Sequence, residues 1–421
     1  MKPRLNKDPK TLLLLGGISS LLWIVLRGVI IHADSPSYIE AAGVVMQGGI
    51  DLLRTPAYPF FLGILHAVFG AGIYLYAAII LQHAVFLGSA CCLFRMTERL
   101  TSSRNTAFYL TLFYVLYPFV TSLNNYILTE SFSISGVMFL LYLAFRLHER
   151  FRWPDALLFP LLASWLLLLK PALIFIIPVF LVFWAGLLFG EVSRKSILAG
   201  LAGALVAAGC LLGYMAAFKH EYGVFSASSV NTLNQYHIAR MYGLLDPSRI
   251  EDPGVREDLE KSIEEHGERP DDFILLFQEA YHMIQDHTLP VVSREVAACT
   301  RQQPVQVLLA TGSRLYAAAD DPLLVSYVHK SRLGHLFSFH ISTLFLFLVI
   351  YTLLLVRWMI RNRSIPWLSA LLYMLAVSQI VVAVYGAQSD WGRLLLPVLP
   401  AYLLMVGQLC AALQARSVQF R

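Results

Sequence analysis

The feature that most constrains this chain is a series of apolar stretches, each about twenty residues long, separated by short polar connections. Such a stretch fills the hydrocarbon thickness only as a helix, because in lipid the backbone has no water to bond and must satisfy itself. Ten spans are expected, over residues 11–31, 72–94, 105–123, 127–146, 153–170, 172–190, 196–218, 336–356, 365–385 and 394–413. The fifth has the shortest clean apolar core. Composition agrees: 57% of the residues are hydrophobic and 14% charged, where soluble domains carry roughly 25% charged residues. The expectation is an all-α polytopic membrane protein of about ten helices.

Charge sorts the connections. The segment 219–335 holds 11 Lys/Arg against 17 Asp/Glu, so the net charge of +5 divides into −6 there and +11 elsewhere. A basic membrane body with an acidic insertion implies two environments and gives no reason to invoke nucleic acid. Lys2, Arg4, Lys7 and Lys10 precede a first run too long for a signal-peptide core, with no small-residue cleavage site after it, so it is expected to stay as the first span. With that end inside, the inner connections carry 17 Lys/Arg and the short outer ones four, namely Arg27, Arg54, Lys170 and Arg393. The positive-inside bias then puts both termini in the cytoplasm. The layout read from this is an N-terminal membrane module (1–218) with a first outer loop (32–70), an outer-face, mostly helical lid (219–335), and C-terminal membrane helices (336–421). Helical patterns such as EDLEKSIEEHG and DDFILLFQEAYHMIQ, broken by prolines, support the lid's class. Four of the five cysteines lie in apolar runs and only Cys299 in the lid, so packing is their expected role.

The first outer loop raises a chemical question. Between His32 and Leu65 it carries a carboxylate, Asp34, and twenty residues on a guanidinium, Arg54, among prolines and tyrosines. Ionisable groups at the membrane edge are functional candidates by default. The candidates on this face are Asp34, Glu40, Arg54, Glu130, Lys170, Asp390 and Arg393, drawn from helix ends far apart in sequence. Each has an ordinary alternative. Asp34 can cap the helix opened by Ser35–Pro36, and Glu40 can sit on its solvated face. Lys170 can snorkel, Glu130 can complement a helix dipole, and Arg54 and Arg393 can mark the headgroup level. Tyr38, Tyr58, Tyr126 and Trp391 suit an aromatic belt.

Together the motifs DSPSY, RTPAYPFFL, NYILTES, LLKPALIFIIP and SDWGRLLLPVLPAY resemble those of the GT-C glycosyltransferases. The nearest branch is the bacterial relatives of dolichyl-phosphate-mannose protein mannosyltransferases and the aminoarabinose transferases (glycosyltransferase family 39-like). The resemblance covers the first six spans and returns near the last two, leaving much of 219–335 unmatched. It implies a GT-C-like bundle that moves a sugar from a polyprenyl-phosphate donor to a lipid, glycan or protein acceptor of the cell envelope. The work would be done at the outer face of the cytoplasmic membrane. It also implies that Asp34 is the catalytic base, that Arg54 and Arg393 bind the donor phosphate with Lys170 as a third cation, and that Tyr38, Tyr58, Glu130 and Asp390 line the substrate pocket.

The residue types suit that chemistry. A carboxylate ionised at neutral pH can accept the acceptor hydroxyl's proton, and a single base opposite the phosphate predicts inversion. Guanidinium forks grip phosphate oxygens while charge builds on the leaving group. Beyond Asp34 the loop offers only Glu40 and Asp51 as further acids, so no metal or other cofactor is expected. Asp320–Asp321 reads as a helix end. In the lid, RQQPVQVLLATGSRLYAAADDPL reads as an amphipathic helix at the interface; His237, Arg240 and His282 can contact the acceptor, but satisfied surface histidines are commoner, and the three stay outside the core site set. Three other readings stand beside this one, the third being an inactive family member that only scaffolds a cell-envelope complex, against which the retained Asp34 speaks. A glycan ligase or polymerase would place its key basic residues in a large late outer loop. A transporter without covalent chemistry would show mid-span charges or breaks.

Overall fold

The computed structural model describes residues 8–188, 193–320, 341–386 and 391–414. Helices α1 (Pro9–Arg27), α2 (Ser35–Met46), α3 (Ala57–Phe69), α4 (Tyr74–Thr101) and α5 (Arg104–Leu116) come first. They are followed by α6 (Pro118–Ser122), α7 (Glu130–Glu149), α8 (Trp153–Leu169), α9 (Ile176–Leu188) and α10 (Arg194–Tyr222). A second group is α11 (Val230–Met241), α12 (Pro253–His266), α13 (Phe273–His287), α14 (Leu289–Arg301) and α15 (Pro304–Asp320). The chain closes with α16 (Ile341–Asn362), α17 (Trp367–Gly386), α18 (Trp391–Leu395) and α19 (Leu399–Gln414). Among the described residues there is no strand, only an isolated bridge between Ile30 and Tyr126.

Among the described residues six helical runs are long and apolar enough to cross a membrane: Pro9–Arg27, Tyr74–Thr101, Glu130–Glu149, Arg194–Tyr222, Ser342–Asn362 and Arg393–Ala411. A seventh is counted if α5 and Pro118–Asn125, bent by 49°, form one span. The expected spans over 153–170, 172–190 and 365–385 form shorter apolar helices. Pro160 lies inside the continuous α8, and Lys170 in extended backbone before Pro171 ends it, as a residue preceding proline is pushed out of the helical region. Seventeen residues rise about 25 Å, somewhat under the roughly 30 Å of hydrocarbon. The expected span over 336–356 begins outside the described residues.

Local chemistry sets several ends. Asp8 caps α1 through Thr11 N–H at 2.7 Å, with Pro9 in the first turn, and Gly28 leaves the helix at φ +59°, a value that favours glycine. Tyr117, extended before Pro118, stops α5. Between there and Glu130 the backbone is irregular, which is tolerated at membrane depth only inside protein. Buried side chains satisfy it. Gln82 Nε2 donates to the carbonyls of Asn124 (2.8 Å) and Tyr126 (3.0 Å), while its Oε1 accepts from Tyr58 Oη (2.8 Å). Asn125 Nδ2 donates to Gly28 O at 2.7 Å and its Oδ1 pairs with His83 Nε2 at 3.0 Å. Ile30 N–H donates to Asn125 O at 2.8 Å. The break is thereby stitched to the chain leaving α1, which brings Glu130 close to Asp34.

The connection over 32–70, expected from the sequence to be the first outer loop, is mostly helical: α2 and α3 pack on each other and the latter carries apolar residues around Tyr58, Leu62 and Leu65 into the main core. Tyr58 and Tyr126 are buried, not belt residues as the sequence suggested. Their hydroxyl and carbonyl serve the Gln82 network instead. The side chain of Trp391 falls outside the described part of the structure.

A second hydrophobic core lies in α11–α14 with the end of α10, around Phe218, Leu233, Leu259, Met283, Val292 and Cys299. At its centre Arg240, 1% exposed, donates to Glu279 Oε1 (3.1 Å), Glu268 O (2.7 Å) and Ser262 Oγ (3.2 Å), and Tyr236 Oη donates to the same Glu279 oxygen. Arg240 is therefore a structural cation and no acceptor contact. His237 is buried too, and burial beside Arg314 lowers its pKa to about 3, so the ring is neutral. His282 is exposed. Asp320 ends α15; Asp321 lies outside the described residues. Along α15, Val305, Leu308, Leu309 and Tyr316 are exposed while Ala310, Arg314 and Ala318 face inward.

Candidate functional site

Five charged side chains from distant parts of the chain form one alternating row. Asp34 follows α1, Arg54 precedes α3, Glu130 opens α7, Lys170 ends α8 and Arg393 sits in α18. Arg54 Nη2 donates to Asp34 Oδ1 at 2.9 Å, and Arg393 Nη1 to Asp34 Oδ2 at 2.8 Å. Arg393 Nε lies 3.4 Å from Glu130 Oε1, to which Lys170 Nζ also donates at 2.9 Å. The row reads cation, anion, cation, anion, cation, and leaves a net +1. Its depth is graded: the Asp34 side chain is 30% exposed and Glu130 4%.

Asp34 occupies the N-cap position of α2, yet its side chain makes no capping bond. The carboxylate turns away to the two arginines. The cap reading of this residue thus gives way to an ion-pair role, while Glu40 is exposed as its ordinary reading had it. Burial pushes the Asp34 carboxyl up, but His32, Arg393 and Arg54 together outweigh it and hold it well below the usual carboxylate range. His32 Nδ1 stands 3.7 Å from the carboxylate and accepts the Asp34 backbone N–H at 3.2 Å.

Arg54 is held on all sides. Its Nε donates to Ser37 Oγ at 2.7 Å, its Nη1 to Tyr38 Oη at 3.3 Å, and its guanidinium carbon lies 4.2 Å from the Tyr38 ring centroid. Ser37 Oγ in turn donates to Asp34 O at 2.7 Å. Tyr38 meets Tyr58 edge to face at 5.3 Å, so Tyr58 supports the site from beneath while its hydroxyl is engaged with Gln82. Burial raises the Tyr38 phenol above its ordinary value. Asp390 lies outside the described residues. Sequence reasoning missed Ser37, His32 and Gln82; the available signal was polar side chains beside the motif or inside an apolar run.

No family model matches the chain, and no curated protein matches it. The likeness to GT-C enzymes rests on the short motifs alone. Among the described residues no group of three His, Cys, Asp or Glu side chains gathers as a metal site.

The charge of the arrangement determines its chemistry. A monoanion with two free oxygens can replace Asp34 on the two guanidinium forks, since forks match phosphate and carboxylate geometry alike. The displaced carboxylate is then available to take a proton.

Proposed function

We propose that this multi-pass helical protein is a membrane glycosyltransferase that moves a sugar from a polyprenyl-phosphate donor to a hydroxyl of a cell-envelope acceptor, with inversion. The observation that carries the reading is the Arg54–Asp34–Arg393 clamp: one carboxylate between two phosphate-compatible cations, in a row of described charges that sums to +1. A sugar phosphodiester carries one negative charge, so the row of three cations and two anions balances it.

In the proposed step the donor phosphate takes over Arg54 and Arg393, backed by Lys170. The acceptor oxygen attacks the anomeric carbon from the opposite face, its proton passes to Asp34, and the anomeric C–O bond breaks with its electron pair left on the phosphate oxygen. The exchange matters because a carboxylate held at very low pKa is a weak base. Phosphate binding frees Asp34 from both guanidiniums and returns its basicity. Tyr38 and Glu130 would line the substrate site, with Tyr58 supporting Tyr38 from beneath. The lid formed by α11–α15 would cover it. We also infer ten crossings, with the short apolar helices over 153–169, 171–187 and 367–383 joining the longer runs and 57–69 left out. The pocket then lies on the outer face of the cytoplasmic membrane.

The test is transfer of labelled sugar from polyprenyl phosphate to envelope acceptors by the purified protein. Arg393→Ala should lower turnover about 10²–10³-fold, the usual loss for a donor aimed at developing charge. Turnover within about threefold of wild type for that variant would remove Arg393 from the leaving-group role. The 49° break after α5 favours a second reading, lipid translocation, because discontinuous helices line transport sites. Lipid moved between leaflets without sugar transfer would select it.

A further inference from the structure

Of the three cations in the row, Lys170 and Arg393 sit at the end of α8 and in α18, whereas Arg54 rides on the connection between α2 and α3. That connection is gripped by the second core. Ile50, Leu52 and Leu53 pack against it. Tyr222, the last residue of α10, donates its hydroxyl to Ile50 O at 2.7 Å. Ser229 gives both its N–H and its hydroxyl to Leu52 O, each at 2.9 Å.

Ser229 is the N-cap residue of α11, is fully buried, and makes no side-chain cap. A serine there ordinarily accepts an N–H of the first turn; this one is spent on Leu52 instead. Within the same connection, Asp51 Oδ1 accepts the N–H groups of Leu53 (2.9 Å) and Arg54 (2.7 Å). An unbroken line of contacts thus runs from α10 and α11 through 50–53 to the guanidinium that touches Asp34.

We propose that Tyr222 and Ser229 are positioning residues that set Arg54, so that the seating of the α11–α14 core determines how firmly the pocket holds a phosphate. The coupling rests on geometry; its effect on phosphate rests on the role given to Arg54 above. The lid is then part of the donor site and not only its cover.

Two measurements on the intact protein separate these. The first is amide hydrogen exchange of Tyr222→Phe/Ser229→Ala, with Tyr222→Phe alone as the milder variant. Exchange at Leu53 and Arg54 should quicken about tenfold, as expected for losing two hydrogen bonds, while residues 123–130 keep wild-type protection. Wild-type exchange over 49–56, or equal loss of protection in both regions, overturns the proposal. The second is the Kd for polyprenyl phosphate in a double-mutant cycle. The anchor variant should bind about tenfold more weakly than wild type but no more weakly than its parent in an Arg54→Ala background. Equal weakening in both backgrounds means that the anchors act elsewhere. If wild type binds no polyprenyl phosphate, the reading of the pocket falls, and the exchange result alone decides whether the lid sets Arg54.

Discussion

Asp34→Asn is expected to lower sugar transfer by about 10²–10⁴-fold, the usual contribution of a general base, while donor binding holds or tightens. Asparagine cannot take the hydroxyl proton, and it leaves Arg54 and Arg393 without the carboxylate that now neutralises them. The two guanidiniums, freed of Asp34 while Arg393 keeps its contact with Glu130, should then grip phosphate at least as well. Turnover and donor affinity measured on the same preparation check this. Transfer at the wild-type rate removes Asp34 as base, and a parallel fall in both quantities would make it only a tie between the arginines.

The pH dependence has a definite sign. In the free protein the Asp34 carboxyl is depressed, so its ion pairs contribute stability above the ordinary carboxylate pKa of about 4, and that contribution is lost as pH falls through the depressed folded value. If a donor phosphate displaces Asp34 as proposed, the arginines are shared and the carboxyl returns toward the ordinary range. The acid limb of kcat should therefore lie at higher pH than that of kcat/KM, since the former reports the complex and the latter the free protein. Coincident limbs would show that the phosphate does not displace Asp34.

The largest stability effect is expected in the second core. Arg240→Leu leaves Glu279 buried with its charge uncompensated and removes the donor to Glu268 O and Ser262. Removing one partner of a buried pair costs about 3–5 kcal/mol. Protease susceptibility of 223–301 against denaturant should report a loss of that size. Arg240→Leu/Glu279→Leu should recover much of it, because an apolar pair no longer buries an unpaired charge. A change below about 1 kcal/mol for the single variant would mean that the pair is solvated.

Much of the helical plan was legible as apolar length: the runs around α1, α4, α7, α10, α16 and α19 announce themselves. The breaks did so less well. Pro118 passes unnoticed among apolar neighbours in a hydropathy window, yet it ends α5 at Leu116 and bends the next stretch of chain. The helix α3 hid inside a stretch read as loop, since thirteen residues are too few to count as a span. For the site, the sequence offered residue types and a motif likeness but no pairing. Asp34 and Arg393 are 359 positions apart, and no local spacing encodes that contact. Only the stacking of helix ends does. Ser229 on Leu52 was invisible for the same reason, and because a serine before a helix reads naturally as a cap.

The order of the five charges along the chain bears on biogenesis. Asp34, Arg54, Glu130 and Lys170 are all made before Arg393, and their charges cancel. A nascent protein ending before α18 could thus assemble this corner as two neutral pairs, with nothing to attract an anionic lipid prematurely. Arrival of the last helices would add the odd cation, Arg393, that the proposed phosphate site needs. A chain stopped at 386 should accordingly insert normally yet retain no polyprenyl phosphate, and retention by it at full-length affinity would refute this order of events.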